Sequence, residues 1–220
     1  MDIVTRNGTG DIKTHLHALE NACQIAHALH CLTIRIFPFR WPDNRKGPFG
    51  TKEDMDRIIP NIKRAIEIAK SYQVTLVLEN CPYSHLPKGE MTLQVVRALQ
   101  SSYLKLLWDP ANSYRAIPAN VPKEYMHWNL KEELEHMAPY IGHIHIKDYR
   151  YDASSPKPFL HVPVGKGDIP YSDLLTSLRE NGYTGSLSLE PEVDGKGSIE
   201  CMRVLKKMVN NVSKPSKNII

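Results

Sequence analysis

Ile141-Gly-His-Ile-His-Ile-Lys-Asp148 is a short run in which isoleucine alternates with titratable residues. Alternate residues of a strand share a face. His143, His145 and Lys147 therefore fall on one side, and Ile144 and Ile146 on the other. Such a strand suits a barrel wall, whose outer face packs on helices and whose inner face supplies a site. The pattern predicts one strand over 141–148. His145 lies nearer than His143 to the C-terminal end, where barrels of this kind do their chemistry.

Four other runs resemble this one in length and punctuation. They cover 32–37, 74–80, 104–109 and 185–190, and each is stopped by a proline: Pro38, Pro82, Pro110 and Pro191. Helical periodicity fills the intervals. Leu16, Leu19, Cys23, Ala26 and Leu29 recur at helical spacing behind Thr14, a candidate N-cap. A second helix is expected over 51–71, short ones near 95–99 and 130–137, another carrying Leu174, Leu175 and Leu178, and a last one over 198–210 burying Ile199, Met202, Leu205 and Val209. Residues 113–129 read as irregular. No Asn-Gly hairpin signal separates two strands, so the alternation predicts a parallel sheet with crossover helices.

Composition narrows the function classes. The chain has 220 residues, 41% of them hydrophobic and 24% charged, which suffices for one domain with a sizeable core. One domain over 1–220 is expected, with a frayed tail over 211–220. The net charge of +4 comes from scattered basic residues, which argues against a nucleic-acid partner. No stretch approaches the roughly 18 apolar residues of a membrane span. The N-terminus lacks the basic-then-apolar pattern of a signal peptide. Cys23, Cys31, Cys81 and Cys201 lack CxxC spacing and are read as reduced thiols of a cytoplasmic protein. The loop over 38–50, carrying Arg40, Trp41, Arg45 and Lys46, has the length of a lid.

Four strands end in a metal-capable group: Glu79, Asp109, His145 and Glu190. Their intervals of 30, 36 and 45 residues each fit a strand–helix unit. In a parallel barrel the strand ends converge on one face, so the four side chains can meet. A lone strand-end carboxylate is usually a cap or an ion-pair member, and a lone strand histidine a satisfied core residue. Four in succession are harder to explain that way. Three carboxylates and one imidazole favour Mn²⁺, Mg²⁺ or Co²⁺, with catalytic Zn²⁺ as a further option. Lys147 reads as a substrate contact or as a salt bridge to a neighbouring carboxylate. Arg35 reads as an anion contact or as an ion-pair partner.

Val77-Leu-Glu-Asn80, Trp108-Asp-Pro-Ala-Asn112, His143-Ile-His-Ile-Lys-Asp148, Val164-Gly-Lys-Gly-Asp-Ile169 and Leu187-Ser-Leu-Glu190 together resemble the successive motifs of the xylose isomerase-like TIM-barrel superfamily. The resemblance spans about 14–210. It implies an α/β fold, part of a (β/α)₈ barrel, with its five strands matching the fourth to eighth of the family and three leading strand–helix units missing. A fragment, a homo-oligomer covering the open side, or a degenerate relative would each account for that. It also implies that Glu79, Asp109, His145 and Glu190 bind one divalent cation, and that Glu79 and Glu190 form the acid/base pair on a sugar or polyol. Asn112, a candidate substrate contact with Lys147 and Arg35, stands where many family epimerases carry a histidine, a departure from the epimerase subgroup's pattern. Gly165-Lys-Gly-Asp168 resembles a phosphate-cradling loop. Three functions follow in order: a metal-dependent isomerase or epimerase (or a related dehydratase), a non-catalytic carbohydrate-binding relative, and an abasic-site endonuclease-like nuclease.

Overall fold

The computed structural model describes residues 12–39 and 47–213. Within them, five parallel strands form one sheet in the order β1-β2-β3-β4-β7. The strands are β1 (Thr33–Ile36), β2 (Thr75–Glu79), β3 (Leu104–Trp108), β4 (Ile141–Ile146) and β7 (Ser186–Leu189). Each parallel step is bridged by helix: α2 (Lys52–Ser71), α3 (Gly89–Leu99), then α4 (Pro110–Tyr114) with α5 (Leu130–Met137), and finally α6 (Tyr171–Glu180). The helix α1 (Ile12–Ala28) leads into β1 and α7 (Gly195–Ser213) follows β7. The result is a curled half-barrel with helices on its outer side, as the alternation of strand and helix requires.

The strand pleat sorts the side chains. Ile34, Ile36, Leu76, Leu78, Leu104, Leu106, Trp108, Ile144 and Ile146 are buried in the core between sheet and helices. Each such side chain contributes about 1.5–3 kcal/mol by leaving water. The α2 helix is held at its start by a capping box between Thr51 and Asp54 and buries Ile58, Ile62, Ala65, Ile66 and Ala69. Arg35, Val77, Glu79, Leu107, His143 and His145 alternate with the core row and so face inward. Register then sets depth. Glu79 lies level with Leu107, Leu107 with His143, and His145 with Ser188, so Asp109 and Glu190 emerge just beyond their strands at the level of the C-terminal face.

Several expectations need correction. The stretch 141–148 is not one strand: β4 ends at Ile146, and β5 (Asp148–Tyr151) pairs antiparallel with β6 (Phe159–Val162). The break falls at Lys147 because its backbone N–H and C=O are both bonded by the buried hydroxyl of Tyr171 instead of a strand. The hairpin escaped detection because 152–158 is a seven-residue connection without a two-residue turn signal. Residues 113–129 are not wholly irregular. Pro110 occupies the first turn of α4, where its missing N–H costs nothing, and a 3₁₀ turn spans Lys123–Tyr125. Thr14 lies inside α1, which already starts at Ile12, and α7 starts at Gly195, ahead of Ser198. Leu29, Ile199 and Met202 are exposed rather than buried. Leu29 falls beyond the end of α1 at Ala28, so the helical spacing no longer applies to it. The α7 helix continues to Ser213, into the segment expected to fray. Trp41 and the basic residues Arg40, Arg45 and Lys46 of the lid-like loop lie outside the described residues, as does 214–220.

Candidate metal centre

Glu79 is the last residue of β2, Asp109 follows β3, His145 sits in β4 and Glu190 follows β7. One ligand-capable atom from each lies within 4.8 Å of all the others. The convergence comes from the topology: four neighbouring parallel strands deliver their C-terminal ends to one place.

The β2 and β3 ends are locked together by amides. Asn80 is fully buried. Its Oδ1 accepts the Asp109 N–H at 2.8 Å, and its Nδ2 donates to the Asp109 carbonyl at 2.9 Å and to Ser113 Oγ at 3.0 Å. Asp109 Oδ1 accepts the Asn112 N–H at 2.9 Å and so caps α4. Asn112 Nδ2 donates to the Asn80 carbonyl at 2.9 Å and approaches Glu79 Oε1 at 3.4 Å. Asn112 thus touches Glu79 and is itself buried.

The other flank is held by charge. Lys147 Nζ lies 2.9 Å from Asp109 Oδ2, 2.9 Å from Glu190 Oε2 and 3.6 Å from Glu192 Oε1. His145 Nδ1 lies 3.2 Å from Glu79 Oε1 and 3.4 Å from Glu190 Oε2. Arg35 reaches Glu190 Oε1 at 3.2 Å and Glu79 Oε2 at 3.4 Å, tying the two edge strands' ends across the sheet. The ion-pair readings of Lys147 and Arg35 are therefore the ones the geometry displays. His143 sits one layer lower and bonds Ser188 Oγ at 2.7 Å. Burial pulls its imidazole below the ordinary range.

The protonation pattern follows from these contacts. Complete burial pushes the Asp109 carboxyl up to about 6, with the Lys147 ammonium opposing. Glu190 shares the same ammonium yet is held well below the usual carboxylate range, chiefly by its hydrogen bond with His145. The two differ because Asp109 is sealed whereas the Glu190 side chain is 34% exposed. Burial would depress His145, but its bonds to Glu190 and Glu79 outweigh that and raise it to about 9. Burial likewise works against the Lys147 charge, and Asp109 and Glu190 more than restore it.

A divalent cation fits these residues. The donor set is oxygen-rich, as hard cations prefer. Glu79 Oε2 is buried and accepts no hydrogen bond among the described residues, its one charged contact being the Arg35 ion pair at 3.4 Å. A buried acceptor without a donor is costly unless something else satisfies it.

The family model described as xylose isomerase-like TIM barrel matches residues 4–208. The chain belongs to this family. It is 26% identical over 144 residues to the L-ribulose-5-phosphate 3-epimerase UlaE of Escherichia coli, covering 64% of this chain and 44% of that protein. The chain spans about half the length of the curated relatives it matches. Among solved structures it is similar to the IOLI protein with a bound zinc atom (TM-score 0.71, 16% identity, 96% of this chain and 74% of the other). A xylose isomerase-like TIM-barrel protein from Mycobacterium smegmatis in complex with magnesium is comparably similar (TM-score 0.69, 15% identity, 96% and 74%). These likenesses establish the partial-barrel fold of the family member.

Two parts of the neighbourhood were not legible in the sequence. The Gly165–Asp168 loop is not a phosphate cradle. Its amides are taken: Asp148 accepts the N–H groups of Gly165 at 2.9 Å, Gly167 at 3.0 Å and Ile169 at 3.4 Å. A Cβ on Gly167 would stand 2.1 Å from Asp148 Oδ1, so glycine is required for that approach. Asn80 was also missed as a site residue. The only cue was its place beside Glu79 within Val77-Leu-Glu-Asn80.

Proposed function

We propose that this chain is a divalent-metal-dependent sugar or polyol isomerase or epimerase that works by proton transfer through an enediolate. The observation that carries the reading is the convergence of Glu79, Asp109, His145 and Glu190 within 4.8 Å at the ends of four neighbouring strands. The similarity to an enzyme named L-ribulose-5-phosphate 3-epimerase supports the substrate class. The zinc and magnesium of the similar structures support a divalent ion. The oxygen-rich donor set makes Mn²⁺ our first assignment, ahead of Mg²⁺, Co²⁺ and Zn²⁺.

Glu79, Asp109, His145 and Glu190 would hold the ion, which when bound supplies a Lewis acid for neighbouring sugar oxygens. The proton chemistry falls to the chain. Glu79 and Glu190 approach each other through shared contacts with His145 and Arg35. One glutamate, as carboxylate, takes the proton from the carbon beside the carbonyl; the C–H pair becomes the C=C bond as the C=O π pair moves onto oxygen, and the other glutamate, starting as the acid, gives its proton to the opposite face of that carbon as the C=O bond re-forms. Glu190, a third exposed, can exchange that proton with water, whereas Glu79 is sealed. Lys147 places a positive charge beside the developing oxyanion. Arg35 bridges the two glutamates through Glu79 Oε2 and Glu190 Oε1.

Metal analysis of the purified chain combined with proton NMR of ketoses in D₂O tests the reading. One equivalent of bound metal is expected, with loss of it in Glu79→Gln and Glu190→Gln. Deuterium should enter the carbon next to the carbonyl of at least one ketose or ketose phosphate. A chain that retains no metal, or one that is metal-loaded yet exchanges no substrate proton, sinks the proposal.

A further inference from the structure

Beyond the quartet, a string of ion pairs and hydrogen bonds runs outward into the β5–β6 hairpin. Glu192, which meets Lys147 through Oε1, uses Oε2 to contact His161 Nε2 at 3.1 Å. His161 Nε2 lies 2.9 Å from Tyr149 Oη. Arg115 donates to the same Tyr149 Oη at 2.8 Å and to Tyr83 Oη at 3.4 Å. The Arg115 guanidinium lies over both rings, 5.0 Å from the Tyr149 centroid and 5.4 Å from that of Tyr83. The string thus passes from the candidate metal centre across the β5–β6 hairpin and ends on a cation.

That cation differs from the other two beside the site. Arg35 and Lys147 are each matched by two or more carboxylates. Arg115, among the described residues, contacts no carboxylate: its partners are two phenol hydroxyls and two aromatic faces. The aromatic faces and hydroxyls orient the fork without neutralising it. Two of its five N–H donors are used, which leaves a fork able to grip an oxyanion in two places. Arg115 caps the C-terminus of α4, the short helix that Asp109 starts. Asp109 and Arg115 cap the two ends of this five-residue helix, so at 1.5 Å per residue their backbone positions lie about 9 Å apart. A pentose or hexose with one end at the quartet can carry a terminal oxyanion across that distance. Tyr83, 55% exposed, adds an aromatic face at the rim against which a sugar's apolar side can lie.

We propose that Arg115, framed by Tyr83 and Tyr149, is the specificity-determining residue of an oxyanion subsite, and that the substrate is a sugar bearing a phosphate or carboxylate at the end remote from the reacting carbons. This rests on the reading of the quartet as the reacting end. It places charge recognition on a side chain of α4 rather than on the glycine loop, whose amides Asp148 already occupies.

Isothermal titration of the Mn²⁺-loaded chain with ribulose, ribulose 5-phosphate, fructuronate (a 2-ketose with its carboxylate at the far end) and inorganic phosphate tests it, using wild type, Arg115→Met and Arg115→Lys. In the wild type one of the two anionic sugars is expected to bind at least tenfold tighter than ribulose, and which one identifies the oxyanion. Arg115→Met should erase that advantage with ribulose affinity and metal content unchanged, and Arg115→Lys should retain part of it. Should Arg115→Met not fold, Arg115→Lys alone decides: an unchanged preference for the anionic sugar overturns the proposal. Equal losses for neutral and anionic sugars in Arg115→Met, or no preference in the wild type, overturn it too. Failure of the metal-centre reading would show separately as absent metal, and inorganic phosphate binding would still report on Arg115.

Discussion

The β2–β3 flank of the site and its β4–β7 flank hold their carboxylates by different means. On the first, Glu79 and Asp109 are almost fully buried, and neutral amides of Asn80 and Asn112 fasten the strand ends to each other. On the second, Glu190 is a third exposed and is positioned by the charges of Lys147, His145 and Arg35. Hydrogen bonds to backbone have one good geometry, whereas charges attract over a range of positions. The sealed flank is therefore the fixed half of the proposed cation site. The open flank is the half that can adjust when a cation or a sugar enters.

The largest effect that would break this contrast concerns the carboxylates themselves. Asp109→Ala leaves the Lys147 ammonium short of a sealed partner and should cost about 3–5 kcal/mol of unfolding free energy. Glu190→Ala should cost less than about 1 kcal/mol, since its charge is partly solvated. Both should abolish metal binding. Urea unfolding beside metal titration checks the pair, and equal stability losses would erase the distinction between the flanks.

Asn80→Ala probes the fastening rather than the ligands. It strips partners from the Asp109 N–H and carbonyl and from Ser113 Oγ, an expected loss of about 2–3 kcal/mol. Metal affinity should also fall by about 10–100-fold, the usual range for groups that orient a ligand. A variant that loses stability but keeps its affinity would show that the fixed half tolerates movement.

The smallest effect concerns the wall behind the sealed flank. Glu133 is fully buried, accepts the Glu90 N–H at 2.8 Å and the Trp108 indole N–H at 3.3 Å, and so couples α3, α5 and the end of β3. Burial pushes the neighbouring Glu90 carboxyl up to about 7, with Lys88 opposing and Glu133 adding. Its folded value lies above its ordinary value of 4.5, so the folded state holds the extra proton. The resulting stability is full below about pH 4.5 and is lost as pH rises through about 7. Glu90→Gln should therefore raise stability by about 1–2 kcal/mol at pH 8 and leave it unchanged at pH 4.5, as read by thermal or urea unfolding at the two values.

Much of this arrangement was legible along the chain. Period-two alternation in 32–37 and 141–146 separated the core row from the inner row, because side-chain direction in a strand is local geometry. Prolines and glycines marked the strand ends, and the carboxylates sat at those ends. Lys147 and Asp148 read as a continuation of β4 because alternation continues through them, while a hydroxyl from Tyr171, 24 residues on, takes the Lys147 backbone out of the ladder and Asp148 opens a different strand, β5. The glycine loop looked like an anion site because its amides are free in the sequence. A carboxylate from β5 fills it in the fold. Arg115 gave no signal at all, since its significance lies in the absence of a carboxylate near it among the described residues.

By itself the sequence determined the strand–helix alternation, the inward row and the identity of the four convergent donors. These depend on spacing and residue chemistry, which are local. Only the tertiary structure decided which donors are fixed by amides and which by charge, where the anion-binding amides are spent, and which cation is left unmatched. Those outcomes are sums over neighbours from distant parts of the chain, and burial and charge balance exist only once the chain has closed on itself.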